Sequence, residues 1–249
     1  MSQKSDILSF SGFGLKYIAL VTMTLDHIAA VLLPYGSPLY TALRGIGRIA
    51  FPLYCFLLVE GYLHTSNRTS YFRRLLIFAV LSEIPFDMAL FHFPLVTSPA
   101  SLFSHQNIFF TLAFGFLAMY LLDYHWYRNR STGFIGLMLI GILSEVFKFD
   151  YGLSGIMVLT ILFIGKKFRP GIKPIVIAIC AILPLFSPDS ISGICIILAL
   201  PFILFYNGQK GSPLPNGKTF PGAKYLFYIY YPAHLFIISL IYFITHSAS

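Results

Sequence analysis

Residues 43–64, LRGIGRIAFPLYCFLLVEGYLH, confine what this chain can fold into more than any other stretch. They are mostly apolar and long enough to cross a bilayer, yet they carry Arg44, Arg48, Glu60 and His64. An ionisable group at the centre of a membrane helix costs about 2.5–3.5 kcal/mol on insertion scales, so such groups face a protein interior and are paired or functional. Arg44 and Arg48 are four residues apart, which on a helix puts both guanidiniums on one face, one turn apart, as a clamp suited to phosphate or carboxylate. The same spacing serves an ion pair with acids on a neighbouring span, or snorkelling to the membrane edge.

Composition extends this reading to the whole chain. Of 249 residues, 57% are hydrophobic and 10% charged, far below the roughly 25% charged residues of a soluble domain. The fold class is therefore all-α: a polytopic integral membrane helix bundle, read as one domain over residues 1–249. The formal net charge of +8 does not indicate nucleic acid, because the basic residues are scattered through short loops between apolar runs, where charge reports topology. Cys55, Cys180 and Cys195 lie inside apolar segments without metal-ligand spacing, so neither a disulfide framework nor a metal site is expected. The first apolar run continues straight into a span and reads as an uncleaved signal anchor.

Apolar runs bounded by charges, Pro and Gly predict about nine spans, near 15–33, 41–63, 71–93, 105–124, 133–147, 152–166, 173–187, 190–206 and 224–245. Positive charge alternates between the loops. Arg68, Arg73 and Arg74 follow the second span, Arg128 and Arg130 the fourth, Lys166, Lys167, Arg169 and Lys173 the sixth, and Lys210, Lys218 and Lys224 the eighth. The positive-inside rule then places the N-terminus in the cytoplasm and the C-terminus outside the inner membrane. The uncharged Ser/Thr/Pro-rich loop 94–104 reads as an outer lid or entry rim, and 207–223, with NGQKGSPLPNGK, as an exposed cytoplasmic loop.

On this topology polar groups gather in the outer half of the bilayer: Asp26 and His27, Arg44 and Arg48, Glu83 and Asp87 around Pro85, His105, Gln106 and Asn107, Glu145 and Asp150, and Tyr231 and His234. Each has a plain structural explanation. Asp26 and His27 suit a satisfied buried pair, Glu83 and Asp87 suit counter-ions of the arginines, Asn107 suits a cap, and Pro232 suits a kink. Their convergence at one depth is harder to explain by packing, since each raises the insertion cost.

Five segments also carry a resemblance: LKYIALVTMTLDHIAAVLLP, LRGIGRIAFPLYCFLLVEGYLHTSN, YFRRLLIFAVLSEIPFD, HQNIFFTLAFGFLAMYLLD and YLFYIYYPAHLFII. In this order and spacing the chain resembles the TraX family, membrane proteins associated with N-terminal acetylation of conjugative pilin. The match runs from 15 to 238, with 125–223 least diagnostic. The family is similar in turn to multi-pass membrane acyltransferases that use cytoplasmic acyl-CoA. The resemblance implies an acetyltransferase that moves an acetyl group from acetyl-CoA to an amine or hydroxyl acceptor, a peptide such as a pilin N-terminus or a small molecule.

Taken together with the polar cluster, that chemistry assigns candidate roles. His27 is the first choice of general base, because a histidine titrates near neutrality. Adjacent helical residues point about 100° apart, so the acid that orients His27 is either Asp26 or one from another span such as Glu83. His234 is the alternate base and Asn107 the candidate oxyanion donor. Arg44 and Arg48 serve the thioester end or the acceptor's carboxylate, with Asp87, His105 and Tyr231 on the substrate side. Arg68, Arg73, Arg74 and Lys224 face the donor's phosphates at the cytoplasmic mouth. A small-solute or proton-coupled transporter, and a non-catalytic assembly factor, remain open alternatives.

Overall fold

Side-chain caps fix where the helices begin. The computed structural model describes residues 9–92, 105–168, 170–171, 175–176, 195–214, 218, 220 and 222–246, with the backbone alone at Lys224. Helix α1 (Gly12–Leu32) starts where Ser11 accepts the N–H of Gly14, and α2 (Pro38–Gly47) where Ser37 accepts that of Tyr40, with Pro38 at the first helical position. Asn67, Asn107 and Asn129 cap α4 (Arg68–Leu90), α5 (Ile108–His125) and α6 (Arg130–Val146) in the same way. At the start of α7 (Gly152–Phe168), the N–H of Leu153 donates to Glu145 Oε1 at 2.6 Å, which makes Glu145 a capping group. The remaining α-helices with given bounds among the described residues are α3 (Ala50–His64), the short α8 (Ala199–Leu204) and α9 (Leu226–His246). Among the described residues there is no strand, only isolated bridges of Phe10 with Tyr206 and Gln106 with Phe149.

Among the described residues four segments are long and apolar enough to cross a membrane: Gly12–Leu32, Pro38–His64, Ile108–His125 and Leu226–His246. Helix α4 has the length, at 23 residues, but begins with three arginines and carries Glu83 and Asp87. At 17 residues each, α6 and α7 rise about 25 Å. The span expected at 173–187 apart from 175–176, the start of that at 190–206, the rim at 94–104, and Cys180, Arg169 and Lys173 lie outside the described residues.

The second expected span is one crossing by length but not one helix. It breaks between α2 and α3 at Arg48, whose N–H is shared among the carbonyls of Arg44, Gly45 and Ile46. Pro52 explains the position: lacking an N–H, it cannot bond the carbonyl of Arg48, and its ring crowds that carbonyl. The expectation of two arginines on an unbroken helix is corrected accordingly.

Helix α1 packs against α2, α3 and α9, while α5 packs against α4, α6 and α7, and α3 joins the two groups through α7. Tyr62, Phe86, Phe116 and Phe163 fill the core between them. One end of the bundle gathers the basic residues. Arg68 lies 3.1 Å from Asp123, which also binds Lys167 and, at 3.0 Å, the hydroxyl of Tyr62; Lys166 pairs with Glu60. Segment 205–210 lies at the same end, with Lys210 accepting the N–H of Phe13 at 2.9 Å. At the other end, Gln106 pairs with the 148–150 turn, and His92 stacks on Tyr242 at 3.9 Å.

Gly47 lets α1 approach α2 closely, because a Cβ there would collide with the side chain of Asp26. Gly47→Ala is therefore expected to destabilise the fold by about 1–3 kcal/mol through overpacking, read as a lower thermal midpoint in detergent. Gly36→Ala, at a position with open space but φ of 78°, separates this steric effect from backbone strain.

Candidate functional site

Asp26 and His27, neighbours on α1, turn to different helices. Arg44 Nη1 donates to Asp26 Oδ2 at 2.5 Å, and Arg48 Nη2 lies 3.2 Å from Oδ1. His27 Nδ1 lies 2.7 Å from Nε2 of His234 on α9, with ring centroids 5.0 Å apart. A carbonyl can only accept, so His234 Nδ1, 2.9 Å from the oxygen of Tyr230, carries a proton. In the neutral ring His234 Nε2 is then an acceptor, His27 donates to it through Nδ1, and His27 Nε2 keeps its lone pair. Network geometry thus selects the tautomer that leaves a basic nitrogen on His27.

His27 lines a cavity of about 160 Å³ together with Asp26, Arg44, Arg48, Tyr54, Asp150, Tyr151 and Tyr231. Asp150 enters it from the turn between α6 and α7. Burial pushes the Asp150 carboxyl up to about 6, against the downward pull of Arg48. Tyr151 stacks on Phe51 at 3.7 Å and places its hydroxyl 3.5 Å from Arg48.

A second cavity, of about 100 Å³ and mostly apolar, shares Met23, Tyr54, Ile108 and Tyr231 with the first and extends to Lys16, Tyr71 and Tyr228. The two adjoin along α1. Lys16 and His27 are eleven residues apart, which returns the helix to within about 20° of the same face and advances it about 16 Å. The sequence reading missed Lys16. The signal was there, a lone lysine in the first apolar span three turns before the histidine. Its ammonium lies 4.9 Å and 5.2 Å from the ring centres of Phe13 and Phe227.

The other expected site residues fall into three groups. Tyr231 lines both cavities and His234 supports His27, as described. Arg74 lies over Tyr71 at 5.2 Å and bonds the hydroxyl of Tyr228, beside the apolar cavity, whereas Arg68 is engaged by Asp123 and Arg73 is exposed. The side chain of Lys224 lies outside the described residues.

Glu83, Asp87, Asn107 and His105 stand apart from the cavities. Asn107 Nδ2 donates to the carbonyl of Ala79 at 2.7 Å and to Glu83, so both its amide protons are engaged and the expected oxyanion role does not fit its geometry. Glu83 is held by Asn107, not by His27. The carboxylate of Asp87 has no hydrogen-bond partner among the described residues. His105 stacks against Phe86 at 6.2 Å, and burial lowers its pKa.

The sequence profile of the TraX protein family matches residues 11–242. The chain is 32% identical to the probable fimbrial assembly protein FimC, serogroup H1, of Dichelobacter nodosus, over 93% of this chain and 95% of that protein. It is 28% identical to an uncharacterized protein of Rickettsia prowazekii (strain Madrid E), over 70% of this chain and 61% of that protein. No solved structure matches.

Removing one partner from a buried ion cluster leaves uncompensated charge, typically costing about 3–5 kcal/mol. Asp26→Asn is expected to lower the thermal midpoint in detergent by a corresponding amount. Adding Arg44→Gln should recover part of the loss, since it removes one of the two stranded guanidiniums.

Proposed function

This chain belongs to the TraX family, and on that premise we propose that it is an inner-membrane acetyltransferase moving an acetyl group from cytoplasmic acetyl-CoA to an amine at the outer side, in the service of pilin modification. The observation that carries the reading is that the two cavities adjoin along α1, sharing Met23, Tyr54, Ile108 and Tyr231, with His27 lining the polar one. A nitrogen base with a free lone pair lines the polar chamber, and beyond the shared wall the apolar cavity extends to the half-buried Lys16. The fimbrial-assembly name of the Dichelobacter nodosus relative favours a pilus-linked role. By the positive-inside rule the basic end of the bundle faces the cytoplasm.

In this reading Lys16 and Arg74 receive the donor's phosphates, and the apolar cavity takes the pantetheine arm, whose extended length suits the roughly 16 Å rise from Lys16 to His27. His27 Nε2 takes a proton from the amine as its nitrogen attacks the thioester carbonyl, and returns it to the departing thiolate. The amide bond forms as the carbon–sulfur bond breaks. His234 acts as a positioning residue, fixing the His27 tautomer through its bond to the Tyr230 carbonyl. Tyr231 accepts the N–H of Ile108, which leaves its own O–H to donate toward the developing oxyanion in place of Asn107.

Two variants give opposite kinetic signatures in detergent-purified protein supplied with labelled acetyl-CoA and a peptide amine. His27→Ala is expected to lower kcat about 10²–10⁴-fold with acyl-CoA affinity retained. Lys16→Gln should raise KM for acetyl-CoA while sparing KM for the acceptor. Wild-type protein that transfers no label, but moves a solute across proteoliposomes, would replace this reading with a transporter.

A further inference from the structure

The turn between α6 and α7 is held in conformations that residues with a side chain seldom adopt: φ is 51° at Lys148 and 62° at Tyr151, followed by 41° at Gly152. Such backbone persists where its surroundings over-determine it. Here Gln106 donates to the carbonyl of Lys148 at 3.0 Å, the N–H of Asp150 donates back to Gln106 at 2.8 Å, and the Thr111 hydroxyl donates to the carbonyl of Asp150. Gly152 has no room for a Cβ beside the capping carboxylate of Glu145. The effect of these constraints is to deliver Asp150 and Tyr151 into the chamber that His27 lines.

Within that chamber Arg44 and Arg48 both bind Asp26. Among the described residues Asp150 makes no ion pair; its carboxylate accepts the backbone N–H of Tyr151. We infer that Asp150 seats the protonated amino group of the acceptor and is the residue by which the site selects an amine over an alcohol. The inference rests on the acetyltransferase reading and adds the acceptor's recognition group to it.

The chemistry of the chamber favours a cation at this point. The charged and titratable groups facing Asp150 there are Asp26, Arg44, Arg48, His27, Tyr54, Tyr151 and Tyr231. Burial outweighs the pull of Arg48 and Arg44 and raises the Asp150 carboxyl to about 6, so its ionised form is poorly solvated where it stands. An alkylammonium balances it; a hydroxyl does not. Asp150 also supplies the missing proton step. An ammonium has no lone pair, and transfer of one proton to the Asp150 carboxylate gives the neutral amine and a carboxylic acid, which releases that proton to the outer aqueous phase. The second proton leaves through His27 during attack.

The test compares full-length wild type and Asp150→Asn in detergent, with alanyl-glycinamide as the amine and lactoyl-glycinamide as its hydroxyl counterpart. Equilibrium binding of each is measured without acetyl-CoA, and transfer is measured with labelled acetyl-CoA. Losing a charge-assisted contact predicts about 10- to 100-fold weaker amine binding and a matching rise in amine KM, with KM for acetyl-CoA unchanged and the preference over the hydroxyl analogue largely lost. Asp150→Glu should restore part of the preference. Asp150→Asn protein that folds and keeps wild-type amine affinity and discrimination overturns the assignment. If the variant does not fold, wild-type protein that binds both analogues equally overturns it as well. Wild-type protein that binds the amine through Asp150 but transfers no label would sustain this site while refuting the acetyltransferase reading.

Discussion

The geometry around His27 depends on one carboxylate. Asp26 accepts Arg44 at 2.5 Å and stands 3.2 Å from Arg48, joining α1 to the broken α2–α3 segment. Two guanidiniums in an apolar bundle are costly unless an anion meets them, and one aspartate between them pairs with both. The glycine at position 47 lets the carboxylate approach, and Pro52 ends α2 where Arg48 can turn toward it. Because Asp26 is committed to α2, its neighbour His27 faces α9, roughly a quarter turn away. The ion cluster therefore orients the histidine without touching it.

Beside that orientation the interior holds a polar cavity, lined by His27, and an apolar one that shares Met23, Tyr54, Ile108 and Tyr231 with it. The polar chamber is bounded by the ion cluster and the 148–152 turn, and the apolar one by aromatic and leucine side chains leading to Lys16. Tyr54 and Tyr231 stand at the boundary. In the proposed reaction these two cavities would receive reactants of different character, a long amphipathic donor and a compact charged acceptor. At the basic end the Asp123 and Glu60 ion pairs tie helices together, which is why Arg68, the first arginine of its loop, is engaged in structure while Lys16 and Arg74 stand beside the apolar cavity.

The sequence determined the helical membrane class, the loop charge alternation, the Asp26–His27, Arg44–Arg48 and Tyr231–His234 pairs as an interior cluster, and the family. Those features are local: hydropathy over twenty residues, spacing of three or four along a helix, and fixed motifs. Which residue met which was decided only by the tertiary structure, because pairings 18 residues apart, as in Asp26 with Arg44, or 207 apart, as in His27 with His234, depend on how helices cross. The packing engaged Asn107 with Glu83 and Ala79, set Glu145 on the N-terminus of α7, and brought Asp150 into the chamber on a turn whose backbone angles no propensity predicts. Lys16 lay between these cases. Its eleven-residue spacing from His27 was in the sequence, but that the shared face opens onto a cavity is a property of α9, α4 and α5 closing around it, which no single helix encodes.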